Sequence, residues 1–141
     1  MKYMLLVYLD ENSLSEVERA QCYQDSAQLA CELSTKGKYL ASGPLHPTTT
    51  ATSVRVREGK RLVTDGPFAE TRELVAGYWV WKVNSIEEAV DWLKRAPFDG
   101  GAEVEIRPIF EAEDFGAEFT PELREQEDRI RAEAAKLKEN K

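Results

Sequence analysis

The side chains of this sequence that could do chemistry gather around one short string. In VTDGPFAETRE, Val63 to Glu73, Asp65-Gly66-Pro67 stands before Phe68, and then come Glu70, Arg72 and Glu73. A carboxylate at a strand end can act as a general base or accept a hydrogen bond from a ligand. It can equally bond the backbone amides two residues on and shape the Gly66-Pro67 bend as an Asx-type turn. Gly66 would supply a positive φ or a close backbone approach, and Pro67 would fix the exit direction. The single histidine, His46, lies in GPLHPTTT just after a strand. Histidine is the side chain suited to proton transfer near neutral pH. With Asp65 it would make a base and its orienter; alone before a proline it is a solvated loop residue. Glu70 and Arg72 form either an exposed charged loop or a flap in which Arg72 holds an anion.

The elements that must position these groups are short and well marked. The run from Tyr3 to Leu9 is apolar on both faces, the pattern of a central strand. Ser13-Leu14-Ser15-Glu16 and Ser15-Glu16-Val17-Glu18 both have capping-box form and open a helix. That helix is expected to point Val17, Ala20, Tyr23, Ala27, Ala30 and Leu33 inward and to stop at Gly37. KYLASGPLHP reads as a short strand broken by Gly43-Pro44. ATSVRVREGKRLVTDGPF reads as a hairpin turning at Glu58-Gly59-Lys60. In GYWVWKV, Gly77 to Val83, Trp79, Trp81 and Val83 share one face, and Tyr78 and Val80 share the other. Both tryptophans read as core before ligand platform. Ser85-Ile86-Glu87-Glu88 caps a second helix with Ile86, Ala89, Val90 and Leu93 inward, closed by Pro97. In the last strand, EVEIRPIF, Glu105 and Arg107 alternate with Val104 and Ile106. They therefore face away from the core, either as an ion pair or as ligand contacts.

The order β-α-β-(hairpin)-β-α-β is an α+β, ferredoxin-like split β-α-β sheet with an inserted hairpin. Two helices cover one face of such a sheet. The two most apolar strands then need cover on the second face, so a homodimer joined through its sheet faces is expected. Residues 1–110 form this domain, and 111–141 an acidic linker and a C-terminal helical extension. That helix begins at Thr120-Pro121 and carries Leu123, Ile130 and Leu137 as a thin stripe, which would suit a contact with another protein.

Composition bounds the function. The 141 residues carry a net charge of −7; ten acidic against six basic side chains in 111–141 give −4 of it and leave −3 for the rest. No nucleic-acid partner is expected from such a field. No apolar run approaches the ~20 residues of a membrane span, and the N-terminus lacks a cleavage site, so a cytoplasmic location is expected. Cys22 and Cys31 lie nine apart on one helix, which puts them ~13 Å apart on opposite sides, beyond the ~7 Å Cα reach of a disulfide. With one histidine and no C-x-x-C, no metal site is expected. Without a glycine-rich phosphate loop or a G-x-S-x-G motif, no cofactor is expected either.

TDGPFAETRE, followed by GYWVWKV, a helix and EVEIRPI, resembles the DGPF branch of the YCII-related proteins over roughly Met1 to Phe110. YLASGPL and TTTATSVRVREGK resemble the same family's second strand and hairpin. The resemblance implies a dimeric α+β barrel. It also implies a small-molecule-binding or accessory regulatory dimer, since several such proteins resemble neighbours of extracytoplasmic-function sigma factors. The wider family includes relatives similar to enzymes of chlorinated aromatic breakdown, with a His–Asp pair whose histidine lies in the first helix. Here Ser15 to Lys36 has no histidine and offers Cys22, Tyr23, Asp25 and Ser26, which counts against that chemistry. The alternative function is a cofactor-independent lyase or hydrolase on a small cyclic or aromatic compound, using Asp65 with or without His46.

Overall fold

A computed structural model describes residues 1–10, 12–66, 74–98 and 101–139. The elements are β1 (Lys2–Leu9), α1 (Glu16–Thr35), β2 (Tyr39–Pro44), β3 (Thr52–Arg57), β4 (Lys60–Asp65), β5 (Leu74–Lys82), α2 (Ile86–Leu93), β6 (Glu103–Pro108) and α3 (Pro121–Glu139). They fall into two compact units, Met1–Ile109 and Phe110–Lys141.

In the first unit the sheet order is β2-β5-β1-β6, every pairing antiparallel. With the β3–β4 hairpin set aside, this is the ferredoxin-like order. Register places Tyr3 opposite Trp81, Leu5 opposite Trp79 and Val7 opposite Gly77. In antiparallel pairs directly opposed residues share a face. That face holds the core: Tyr3, Leu5, Val7, Trp79, Trp81 and Val83, joined by Leu29 and Leu33 of α1 and Ala89 of α2. The indole N–H of Trp81 is buried there with no hydrogen-bond partner. The opposite face carries Met4, Leu6, Tyr8, Tyr78 and Val80, all only half-buried. In the single chain β1 is therefore covered on one side, not both.

Helix α1 begins at the second of the two capping boxes. Ser15 Oγ accepts from the Glu18 amide at 3.2 Å, and Glu18 returns a carboxylate to the Ser15 amide at 3.0 Å. It ends in a Schellman motif, with Lys38 N–H on Leu33 O at 2.8 Å and Gly37 N–H on Ser34 O at 3.0 Å. Gly37 takes the left-handed φ of 69° that this motif demands. The buried face differs from the expected one. Leu29 and Leu33 are buried, whereas Val17 and Tyr23 are 80% and 52% exposed. Only the C-terminal half of α1 rests on the core. In α2, likewise, Ala89 is buried and Trp92 and Leu93 pack against the core, while Ile86 and Val90 are exposed.

Strand β2 runs through Gly43-Pro44 rather than breaking there, with Pro44 opposite Gly77. Proline is tolerated because β2 is an edge strand, where a missing amide need not break the ladder. The β3–β4 hairpin forms its own two-stranded sheet. Its turn is Glu58-Gly59, with φ of 52° and 76°. Two left-handed residues are the signature of the tight hairpin turn that matches strand twist; Lys60 already belongs to β4.

In the second unit Thr120 Oγ1 caps α3, accepting from the Leu123 amide at 3.3 Å. Phe110, Phe115 and Phe119 form an aromatic row, with ring centroids 5.2 and 4.3 Å apart. Leu123, Ile130 and Leu137 are exposed.

A single ion pair ties α2 to the start of β2. Lys38 Nζ meets Glu88 Oε1, and Glu88 Oε2 accepts from the Asn84 amide at 2.7 Å. These bonds, with Lys38 first and the Asn84 amide second, hold the Glu88 carboxyl below its ordinary value of 4.5. A depressed carboxyl contributes stability that is present above the unfolded value and lost as pH falls through the folded one. Glu88→Gln should therefore lower the unfolding midpoint at pH 7 and match wild type at pH 2–3, as ~ the last carboxylates protonate; circular dichroism melts across that range check it.

Candidate functional site

A cleft of about 700 Å³ opens between α1, from Arg19 to Ala30, and the β2–β5 edge of the sheet. Its origin is residue size. On α1 the cleft is lined by Cys22, Ser26, Ala27 and Ala30, and on the strands by Ser42, Gly43, Ala76 and Gly77. Further along the same two elements stand Leu29, Leu33, Trp79 and Trp81, which fill the space between them. Large side chains thus close one end of the helix–sheet layer and small ones leave the other open. Gly77 is needed for more than volume: a Cβ there would lie 3.0 Å from the Gly43 carbonyl oxygen.

The walls are mostly apolar. Val7, Leu9, Trp79 and Phe98 form the floor and side, and Leu14 and Leu45 the rim. A few polar groups converge. Arg19 lies just inside α1, and one of its guanidinium nitrogens donates to Leu14 O at 3.4 Å. The Cys22 thiol donates to Pro97 O at 3.7 Å. Ser42 is hydrogen-bonded to the Tyr39 hydroxyl at 2.8 Å. His46 and Tyr23 complete the set. An apolar concavity of this size with a few fixed polar groups is the usual form of a small-ligand site. A smaller hollow, about 340 Å³, lies at the edge strand β6 beside Tyr8, Glu103 and Glu105.

The residues singled out from the sequence separate. His46 is an exposed lining residue of the cleft. Asp65, at the end of β4, is exposed and does not line it. No hydrogen bond or ion pair joins Asp65 to His46 among the described residues. The Asx-type bond to the residue two on also fails on chemistry, because that residue is Pro67, which carries no N–H. Pro67, Phe68, Glu70 and Arg72 lie outside the described residues. Glu105 and Arg107 do sit on the open sheet face, as their alternation requires. Arg107 Nε is 3.7 Å from Glu105 Oε1, and Glu105 Oε2 accepts from the Tyr8 hydroxyl at 3.2 Å. Partial burial, then the Glu105 carboxylate, push the Tyr8 phenol above 10.0.

What Asp65-Gly66 does in the described part is structural. Gly66 has a φ of 110°, a backbone geometry that side chains oppose. Its N–H donates to Ala51 O at 2.8 Å, and its carbonyl accepts from the hydroxyl of Ser53, a buried polar residue. Ala51 follows a 3-10 turn, Thr48–Thr50, that begins at the cleft rim. The turn is braced by Thr50 Oγ1 on Pro47 O at 2.7 Å. The motif thus pins the chain two residues beyond Thr49, itself a lining residue.

Residues 1–113 match the YCII-related domain. The chain belongs to the YCII-related family. An uncharacterised protein of Rhizobium meliloti (strain 1021) is 33% identical over 115 residues, covering 77% of this chain and 92% of the relative. The YCII-related match takes in the whole sheet, both helices that pack on it and the cleft, and it stops before α3. No helix of the described chain is long and apolar enough to cross a membrane.

The sequence placed Ala27 and Ala30 on the inward face of α1 and noted Cys22, Tyr23 and Ser26, but not the gap they leave, because small residues advertise nothing in one segment. The signal lay in the coincidence of Ser26, Ala27 and Ala30 with Gly43 and Gly77 on distant strands. Two substitutions test the structural role of the motif. Ser53→Ala should cost about 1 kcal/mol through the lost hydroxyl bond. Gly66→Ala should cost about 1–3 kcal/mol through backbone strain. Both are read by urea unfolding; a Gly66→Ala protein as stable as wild type would remove strain from the account.

Proposed function

We propose that this YCII-related chain is a small-molecule-binding protein that works as a homodimer, with the ligand held in the cleft between α1 and the β2–β5 edge. The observation that carries this reading is the cleft itself. Its volume of about 700 Å³ falls within the ~300–1,000 Å³ of typical ligand sites, and its walls are built from residues too small to close it. A larger side chain at Ala27, which is exposed and lines the cleft, would reach into that gap. The homodimer rests on the open sheet face, where Met4, Leu6, Tyr78 and Val80 stay half-buried in one chain. A second copy of the same face would cover them and leave Tyr8, Glu105 and Arg107 at its margin. With His46 and Asp65 apart, the reading is of binding, with an accessory or regulatory role for the bound form.

The test is a cleft-filling variant. Ala27 is exposed, so Ala27→Phe should fold. Neutral benzene-, indole- and naphthalene-based compounds are screened for those that raise the wild-type unfolding midpoint. At a concentration 100 times Kd a ligand stabilises by about 2.7 kcal/mol. Ala27→Phe should abolish the shift while leaving the unliganded midpoint within a few degrees. Equal shifts in both proteins would place binding elsewhere and sink the cleft. For the assembly, light scattering should give the mass of two chains for wild type and one for Leu6→Asp.

A further inference from the structure

The charges lining the cleft are one-sided in a protein whose overall charge is not. The chain has 26 acidic side chains against 19 basic ones. Yet among the described residues that line the cleft there is no aspartate and no glutamate, while Arg19 and His46 are both present. Arg19 and His46 bring the donors that an anion needs. Arginine is donor-only, with five N–H groups; Arg19 spends one on Leu14 O at 3.4 Å and has no ion-pair partner among the described residues. A histidine ring keeps at least one N–H in either neutral form. Cys22 and Ser42 are already engaged. A guanidinium is also the group best shaped to hold a carboxylate or phosphate in two parallel hydrogen bonds.

From this we infer that the ligand is an amphipathic organic anion. An aromatic or alicyclic body lies against Trp79, Phe98 and Val7, and a carboxylate or other anionic head is held by Arg19, with a donor from His46. The inference rests on the cleft being the ligand site and adds the charge class that this site selects. It also accounts for how a protein of net charge −7 admits an anion: among the described lining residues the one permanently charged side chain is a cation.

The test uses two probes with one ring system, 2-naphthoate and the neutral 2-naphthamide, titrated calorimetrically into the full chain at low salt. Wild type should bind naphthoate at least about tenfold tighter than naphthamide, as a charge-assisted hydrogen bond implies. Arg19→Gln should bring that ratio to about one with naphthamide affinity unchanged, and Arg19→Lys should keep part of it. Naphthamide binding is the control for folding, since a collapsed cleft would lose both probes. Equal affinities in wild type, or a ratio that survives Arg19→Gln, would overturn the anion assignment and leave the cleft reading standing. If neither probe binds wild type, the cleft reading falls and the anion assignment with it.

Discussion

The pairing of β1 with β5 is what the rest of the first unit depends on. It sets Tyr3 against Trp81 and Leu5 against Trp79, and it stacks the two indoles edge to face, 5.6 Å between centroids. Aromatic side chains of this size dominate core energetics. Leu29 and Leu33 of α1 and Ala89 of α2 settle onto that ridge. The ridge also sets the limit of the core. At the next step along the pair Val7 faces Gly77 rather than another tryptophan, and the layer has nothing left to grip α1. The cleft is what remains beyond the last large side chain.

Much of this was legible along the chain because its signals are local. Alternation in SVRVR, the apolar run of β1, the Trp-x-Trp of β5 and the Ser-x-x-Glu boxes each lie within a few residues, and each element formed where its signal stood. Leu33 and Ala30 were read correctly as inward, but the seating of the first half of α1 was not legible. Val17, Ala20, Tyr23 and Ala27 keep a helical spacing as good as that of Leu29 and Leu33, and nothing in the spacing says that the sheet beneath them ends in glycine. Pro44 misled for a related reason. A proline breaks a central strand, but whether β2 is central or at an edge depends on the partner it finds 30 residues later.

The Asp-Gly-Pro string shows the same division between local and distant causes. Its glycine conformation and turn chemistry were readable. Its partners were not: Ala51 and Ser53 reach Gly66 across the full length of the hairpin. Asp65 and Gly66, the described part of the string, do not line the cleft. They act one step away, holding the rim segment that does. A motif of this kind can be specific to a family because it fixes a backbone path, with no reacting group involved.

The uneven seating of α1 has a consequence in time as well as in space. Its last turns are fastened by two buried leucines and a Schellman cap. Its first three turns bury no residue and depend on the Ser15–Glu18 box. Segments with few buried apolar contacts open at a small fraction of the global unfolding free energy. Amide protons near Val17 to Tyr23 therefore exchange with solvent well before those near Leu29 to Leu33. The turns of α1 that carry Arg19, Cys22 and Tyr23 at the cleft are therefore the ones least tied to the core, and they can open with the tryptophan ridge left standing.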